Sequence, residues 1–181
     1  MYDRQQLLDL IHAKALKLGD FTLASGKKAN FYLDLKQITL DAAGARVVAE
    51  GFLELLGEPL PAAVGGLAIG ADPITASIVT LAGLRGLPLS GFLVRKEAKG
   101  HGTNKFIEGP VQPGATAVIV EDVITTGGSA MTALERARDF GLKVDRVLAI
   151  VDRLEGGAEA FAARGAKLTT LLSIRDLNIP R

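Results

Sequence analysis

From residue 39 onward, the chain alternates between segments with helical hydrophobic spacing and short apolar runs. The spacing predicts four helices, over residues 41–56, 73–85, 129–140 and 157–164. The apolar runs predict five strands, over residues 62–65, 89–94, 116–121, 144–151 and 167–173. Helices that alternate with strands favour an α/β fold in which a mostly parallel sheet is covered on both faces. Ligands bind such sheets beyond the carboxyl ends of the strands, so the residues at those ends are the first candidates for a site.

The first 38 residues follow a different pattern. Apolar residues recur at helical spacing up to Gly19, which predicts a helix over residues 3–18. Residues 21–23 and 31–33 then predict two short strands joined by a basic turn. A chain of 181 residues without an internal repeat or a linker is long enough for one well-packed domain. We therefore expect a single domain over residues 1–181, with a small N-terminal module mainly over about 1–38 and a core over about 39–175.

The composition excludes several classes of function. Lysine and arginine number 21 against 20 aspartates and glutamates, and the net charge of +1 gives no field that would draw the chain to nucleic acid or to an anionic membrane. No cysteine is present, which excludes disulfides and thiolate metal sites. No apolar run reaches the roughly 20 residues of a membrane span, and the N-terminus lacks the pattern of a signal peptide. We expect a cytoplasmic protein without nucleic-acid or membrane partners.

The most informative motif is VIVEDVITTGGS, over residues 118–129. An apolar strand leads into two adjacent acids, Glu121 and Asp122, and then into a glycine-rich turn before a predicted helix. Backbone N–H groups at a helix N-terminus favour an anion, and glycines allow a phosphate to approach them. Carboxylates accept hydrogen bonds from vicinal sugar hydroxyls. The acids and the turn together indicate a ribose 5-phosphate site; the alternative is a plain turn capped by Ser129, beside solvated acids.

A basic segment, residues 95–105, interrupts the alternation of helices and strands. Its sequence RKEAKGHGTNK has four Lys or Arg and one His against a single acid, and no apolar period. A glycine-jointed basic loop above a phosphate site can close as a lid and neutralise a departing pyrophosphate. The same sequence also fits a solvated surface loop. The residues alone leave both interpretations open.

Arg153 lies just beyond another predicted strand, residues 144–151. An arginine fork is a natural partner for a planar carboxylate, such as that of a substrate. From the residues alone, a surface ion pair with Asp152 or Glu155 is the simpler interpretation.

Two of these stretches resemble a known family. VIVEDVITTGGS resembles the phosphoribosyl diphosphate (PRPP) binding motif of type I phosphoribosyltransferases, and RKEAKGHG resembles the R-K-x-x-K-x-H-G catalytic loop of orotate phosphoribosyltransferases. The resemblance implies the type I phosphoribosyltransferase fold, in which a mostly parallel central sheet is flanked by helices. The N-terminal module would then be a small hood, and the basic segment a flexible catalytic loop.

The implied reaction transfers the phosphoribosyl group of PRPP to orotate, giving orotidine 5′-monophosphate and pyrophosphate in de novo pyrimidine (UMP) biosynthesis. Mg²⁺ would be bound mainly through PRPP and pyrophosphate, without a metal site built by the protein alone. The catalytic loop would serve the neighbouring subunit of a homodimer. A phosphoribosyltransferase for another base and a PRPP-binding regulator are the alternatives.

The resemblance also assigns roles to individual residues. PRPP would be bound by Arg95, Lys96, Lys99, His101, Glu121, Asp122, Val123, Ile124, Thr125, Thr126, Gly127, Gly128 and Ser129. The catalytic residues would be Lys99, His101 and Asp122. Orotate would contact Thr125 and Arg153, under the hood aromatics Phe31 and Tyr32.

Two positions depart from the family pattern. Many bacterial relatives have a lysine where FTLASG has Ala24, and another where GGLAIGADP has Asp72. Three nearby lysines are candidates to replace these cations: Lys27, Lys28 and Lys36. Asp72 followed by Pro73 is typical of a helix start, with Asp as the N-cap and Pro as the first helical residue.

Overall fold

The computed structural model describes residues 1–22, 28–97 and 106–179. The N-terminal module contains α1 (Arg4–Leu10), a π-helical turn (Ile11–Ala15), β1 (Leu16–Thr22), β2 (Lys28–Leu33) and α2 (Lys36–Thr39). The strands β1 and β2 pair antiparallel in a separate two-stranded sheet. Both strands were predicted, and both begin earlier in the chain than expected.

The first predicted helix is wrong at its C-terminal end. One helix was expected over residues 3–18, but helical geometry ends at Ala15 and the strand begins at Leu16. Leu18, whose spacing suggested the buried face of a helix, pairs with Phe31 on β2 and is 58% exposed. Hydrophobic spacing alone does not distinguish a helix from a strand at residues 16–18, and pairing with β2 makes this segment a strand.

Six strands form the central sheet: β3 (Ala63–Leu67), β4 (Ser90–Val94), β5 (Ile107–Glu108), β6 (Thr116–Ile124), β7 (Lys143–Asp152) and β8 (Lys167–Ser173). Their order across the sheet is β5-β4-β3-β6-β7-β8. Neighbours are parallel except for the short edge strand β5, which runs antiparallel to β4. The predicted mostly parallel sheet is confirmed. Because β6 pairs with both β3 and β7, its carboxyl end lies in the middle of the sheet edge.

Four helices cover the sheet, close to the predicted ranges: α3 (Ala42–Leu56), α4 (Ala71–Leu84), α5 (Gly128–Asp139) and α6 (Gly157–Ala162). Successive residues of β6 belong to two different apolar clusters. Val118 lies in the cluster that contains Phe52 of α3 and Ile78 of α4. Ile119 lies in the other cluster, with Leu134 of α5. Both faces of the sheet are therefore covered, which explains why its inner strands are apolar throughout.

The sequence missed three short elements and placed the end of β6 three residues too early. The helix α2, the strand β5 and a 3₁₀ turn (Ile174–Leu177) are too short to have a hydrophobic period of their own. The strand β6 was expected to end at Glu121, but its ladder with β7 continues to the pair formed by Ile124 and Asp152. Within the described ranges, no helix is both long enough and apolar enough to cross a bilayer.

Candidate active site

Glu121 and Asp122, here called the acid pair, lie within the second half of β6 and not after it. The expected strand end at Glu121 is wrong because pairing with β7 keeps residues 122–124 extended. Adjacent residues of a strand point to opposite faces, so the two side chains have different environments. Glu121 is only 5% exposed, and the side chain of Asp122 is 16% exposed.

The carboxyl of Glu121 is only partly satisfied by hydrogen bonds within the chain. Its Oε1 atom accepts the Asp122 N–H at 3.1 Å, and Asp122 Oδ1 accepts the Val123 N–H at 2.7 Å. Glu121 Oε2 is buried and has no hydrogen-bond partner among the described residues. Burial first, and the charge of Asp122 second, raise the pKa of Glu121 to about 8. A buried carboxyl oxygen without a donor is costly, and the hydroxyl of a ligand would offset that cost.

The loop after β3 passes directly against the acid pair. A Cβ atom built on Gly70 would lie 2.9 Å from Glu121 Oε1 and 3.4 Å from Asp122 Oδ1. Even an alanine at this position would push against the Glu121 carboxyl. The absence of a side chain at Gly70 therefore allows the loop and the acid pair to approach each other.

Asp72 does not have the role that the sequence suggested. It was expected to be the N-cap of α4, but the N-cap is Gly70 and Asp72 is the second helical residue. The helix starts earlier because the Asp72 N–H already donates to the Ile69 carbonyl at 3.1 Å. Asp72 Oδ1 is buried without a partner among the described residues, and burial raises the pKa of this carboxyl. Asp72 thus adds an acid, not a cation, to the segment that contacts the acid pair.

The glycine turn, residues 125–129, leads from β6 into α5. Its Gly127 is the N-cap of α5 and has a φ of +86°, a left-handed value that favours glycine. No side chain caps the helix, and Ser129 is its second residue, so a turn capped by Ser129 is excluded. The N-terminus of this twelve-residue helix therefore leaves backbone N–H donors for an anion such as a phosphate.

The predicted PRPP residues from Glu121 to Ser129 lie together at one edge of the sheet. Val123 and Ile124 pack into apolar clusters on opposite faces, so only their backbone groups are available to a ligand. Thr125 is partly buried and Gly127 is buried, whereas three residues of the turn are exposed: Thr126, Gly128 and Ser129.

Arg153 follows β7 and lies beside the glycine turn, because its N–H donates to the Ile124 carbonyl at 2.8 Å. Its Nε lies 2.8 Å from Glu155 Oε1, which is one of the predicted ion pairs. The Nε–H is not aimed at that oxygen, since it has no hydrogen-bond partner among the described residues. The guanidinium also lies 5.1 Å from the centre of the Phe31 ring. Arg153 therefore lies between the N-terminal module and the glycine turn.

The two ends of the basic segment are held together at its base. Arg95 and Lys96 are exposed, whereas Lys99 and His101 lie outside the described residues. The Arg95 N–H donates to the Phe106 carbonyl at 2.8 Å, which joins the start of the segment to the residue that follows it.

Arg136, in the last turn of α5, fixes this junction. Its Nη1 donates to the Arg95 carbonyl and, at 3.1 Å, to the Lys96 carbonyl. Its guanidinium lies 4.1 Å from the centre of the Phe106 ring. The helix α5 therefore contacts the glycine turn at one end and the basic segment at the other. Nothing in the sequence marked Arg136, since arginines in the last turn of a helix commonly face solvent.

One of the three lysines considered as replacement cations reaches the acid pair. Lys36 Nζ lies 2.9 Å from Asp34 Oδ1 and 3.9 Å from Asp122 Oδ2. Lys28 is exposed on β2. Lys27 and Ala24 lie outside the described residues.

The acid pair also fits the requirements of a magnesium substrate complex. The described residues contain no group of three or more His, Cys, Asp or Glu that could hold a metal ion. Mg²⁺ prefers hard oxygen ligands and is commonly bound by one or two carboxylates together with substrate phosphates. The free Oε2 atom of Glu121 is an oxygen of this kind, beside the carboxylate of Asp122.

Relatives of known name match almost the whole chain. The chain is 56% identical over 183 residues to orotate phosphoribosyltransferase of Rhodopirellula baltica, and the match covers 98% of this chain and 95% of the relative. It is 51% identical over 175 residues to the protein of the same name from Thermosynechococcus vestitus, with 96% and 92% covered. No protein-family model matches the chain.

Solved structures agree with these relatives. Orotate phosphoribosyltransferase of Mycobacterium tuberculosis in complex with Fe(III) dicitrate superposes with a TM-score of 0.87 at 36% identity, covering 97% of this chain and 99% of that one. Its complex with PRPP gives a TM-score of 0.82 at 33% identity, with the same coverage. The type I phosphoribosyltransferase fold implied by the sequence is confirmed. From its fold and its near full-length identity to these proteins, the chain belongs to the orotate phosphoribosyltransferase family.

Proposed function

We propose that this enzyme transfers the 5-phosphoribosyl group of PRPP to orotate and releases pyrophosphate, in a step of de novo pyrimidine biosynthesis that forms orotidine 5′-monophosphate. The observation that carries the proposal is the buried acid pair on β6, followed directly by the uncapped start of α5. A ribose 5-phosphate carries groups that match both features: its hydroxyls can donate to the acid pair, and its phosphate can accept from the N–H groups at the start of α5. The family indicates orotate as the acceptor of the ribosyl group.

In this proposal the glycine turn binds the 5-phosphate, and the acid pair accepts hydrogen bonds from the ribose hydroxyls. The donors to the phosphate are the N–H groups of residues 125–129 and the hydroxyls of Thr125, Thr126 and Ser129. Binding energy at the phosphate then fixes the position of the anomeric carbon, where the reaction takes place. As the bond to pyrophosphate breaks, positive charge develops on the ribose, and Asp122 stabilises it.

The departing pyrophosphate gains negative charge, and the basic segment supplies cations for it. Arg95 and Lys96 lie at the anchored end of this segment. We assign the central contacts to Lys99, whose charge stabilises the leaving group, and to His101, which donates a hydrogen bond or a proton to it. The roles of these two residues rest on the sequence, since both lie outside the described residues.

Orotate lies, in this proposal, between the N-terminal module acting as the hood (residues 1–38) and the core (residues 39–175). Thr125 and Arg153 contact the base and its carboxylate. The Arg153 guanidinium gives up its ion pair with Glu155 and binds the orotate carboxylate instead. The neighbouring Phe31 ring offers an apolar surface on which a pyrimidine can stack.

Mg²⁺, when bound with PRPP, supplies Lewis-acid stabilisation of the charge that the pyrophosphate acquires. The acid pair contributes by holding the ribose hydroxyls in a fixed orientation. The ion would be held mainly through oxygens of PRPP and pyrophosphate.

The proposed function is tested with a panel of bases. The purified chain is incubated with PRPP and Mg²⁺ together with orotate, uracil, adenine or hypoxanthine, and consumption of each base is measured. We expect turnover with orotate and at least about a hundredfold lower kcat/KM with uracil, which lacks the carboxylate for Arg153. Turnover of a different base would identify another phosphoribosyltransferase. PRPP binding without turnover of any base would identify a PRPP-binding regulator.

We further propose a homodimer in which the basic segment of one subunit serves the site of the other. The test mixes two inactive variants, Asp122→Asn and Lys99→Ala, under conditions in which subunits exchange. Each heterodimer then contains one site with both groups intact, and random exchange restores roughly a quarter of wild-type activity. No recovery after exchange has been verified by mass spectrometry would place the whole site within one subunit.

A further inference from the structure

Lys36 lies at the junction between the N-terminal module and the core. It is the first residue of α2, shortly after β2 ends. Its ammonium group contacts carboxylates from both parts of the chain: Asp34 Oδ1 at 2.9 Å and Asp122 Oδ2 at 3.9 Å. A single cation therefore connects the segment after β2 to the acid pair on β6.

Asp34 is held firmly enough to act as the fixed end of this connection. Its backbone N–H donates to the Ala15 carbonyl at 3.0 Å. Its carboxylate accepts the Lys36 N–H at 3.2 Å and the Gln37 side-chain amide at 3.1 Å. Burial pushes the pKa of Asp34 upward, but the hydrogen bonds from Lys36 and Gln37 outweigh it and hold this pKa below its usual value.

Lys36 is charged at neutral pH and faces the acid pair. The hydrogen bond to Asp34 raises the pKa of Lys36; burial opposes this effect, and the charge of Asp122 adds to it. The other oxygen of Asp122, Oδ1, accepts the Val123 N–H. Among the ion pairs of the described residues, Lys36 is the cation that contacts Asp122. Its charge also acts on Glu121, whose pKa it lowers in part.

We propose that Lys36 is a positioning residue of the PRPP site: it holds the Asp122 carboxylate in the orientation that accepts the ribose hydroxyls and balances the negative charge of the acid pair. This inference rests on the proposed function, because it assigns Asp122 to the ribose. It also identifies a cation beside the acid pair, in a chain whose own residue at position 72 adds a further acid to the segment that contacts this pair.

The geometry separates this role from a purely structural one. The Lys36 side chain is 46% exposed, and ion pairs of exposed lysines contribute little to folding. Loss of the ammonium group should therefore leave the unfolding midpoint nearly unchanged. What changes is the orientation of Asp122, so the effect appears in steps that involve the ribose and not in the binding of orotate.

The experiment compares Lys36→Met and Lys36→Arg with Lys143→Met, which removes an exposed lysine from the opposite end of the central sheet. We expect Lys36→Met to lower kcat/KM for PRPP by about 10- to 100-fold while KM for orotate stays within about threefold of wild type. Lys36→Arg, which keeps the charge, should recover most of the loss, and Lys143→Met should behave as wild type.

A double-mutant cycle with Asp122→Asn distinguishes positioning from direct contact with PRPP. If Lys36 acts through Asp122, adding Lys36→Met to Asp122→Asn weakens PRPP binding, measured as a dissociation constant by calorimetry, by less than about threefold. An equal loss in both backgrounds would overturn the inference, because Lys36 would then act independently of Asp122.

Two further outcomes have separate meanings. A Lys36→Met enzyme that is as active as Lys143→Met would also overturn the inference, while leaving the proposed function intact. A wild-type chain that does not consume orotate refutes the proposed function itself. If Lys36→Met does not fold, as judged by circular dichroism, the same comparison is made with Lys36→Gln, which retains a hydrogen-bond donor but not the charge.

Discussion

Replacing Glu121 with glutamine should remove a pH-dependent cost of folding. Burial, followed by the charge of Asp122, raises the pKa of Glu121 from 4.5 to about 8 in the folded chain. Between these two values the folded chain keeps a proton that the unfolded chain releases. The contribution of Glu121 to the free energy of unfolding is therefore most favourable below pH 4.5. It falls as the pH rises from 4.5 to about 8, and it is constant above about pH 8.

The size of this cost follows from the difference between the two pKa values. Each unit corresponds to about 1.4 kcal/mol, so the complete change amounts to at most about 5 kcal/mol. The glutamine variant stays neutral at every pH and does not pay this cost.

The assay is urea unfolding of the wild type and of Glu121→Gln without PRPP, at several values between about pH 5 and about pH 9. We expect the two free energies of unfolding to agree within about 1 kcal/mol at the acidic end, and the variant to be more stable by several kcal/mol at the alkaline end. The pKa values of Asp34, Asp41 and Asp176 are lowered in the folded chain, so these three groups make the chain less stable as the pH falls. The scan stays above the pH range in which they take up protons.

The control is Glu159→Gln, which removes an exposed carboxylate on α6. The reasoning would be refuted if the free energies of unfolding of Glu121→Gln and wild type differed by the same amount at every pH. It would mean that Glu121 is already ionised in the folded chain, and that burial of its carboxyl does not control the charge of the acid pair.

Three other changes have defined outcomes. Arg153→Met should raise KM for orotate by about 10- to 100-fold and change KM for PRPP by less than about threefold, as initial rates at varied concentrations of each substrate will show. Lys99→Ala should lower kcat far more than it weakens PRPP binding, because its charge acts when pyrophosphate departs; equal losses would contradict a role in the leaving step. Gly127→Ala should lower the free energy of unfolding by more than Gly114→Ala does, as measured by urea unfolding. Both substitutions should cost about 1 kcal/mol or more, because both glycines have a positive φ. Only at Gly127 would the new methyl group also lie 3.0 Å from the Phe161 ring.

The overall fold was predictable because its elements are long enough to have a period. The helices α3 to α6 and the inner parallel strands match the expected ranges within a few residues. The errors lie where pairing between distant segments decides the local structure. The early start of β1 depends on β2, and the extension of β6 through Asp122 to Ile124 depends on β7.

The site was predictable only where it is continuous in sequence. The acid pair and the glycine turn come from one stretch of nine residues, so their motif indicates their chemistry directly. Arg136 and Lys36 are 40 and 86 positions away from the groups they contact, Lys96 and Asp122. Their roles arise from packing of α5 and α2 against the rest of the chain. Lys36 was only one of three candidates in the sequence, and Arg136 was not a candidate at all.

The junction that Arg136 makes with both ends of the basic segment sets a length limit on the assembly. Nine residues separate Lys96 from Phe106, and a chain of ten Cα–Cα steps that leaves its anchor and returns reaches at most about 18 Å. If the segment serves a neighbouring subunit, the pyrophosphate bound in that subunit must lie within this reach, extended only by the length of one side chain. A proposed dimer in which this distance is exceeded can be rejected before its interface is considered.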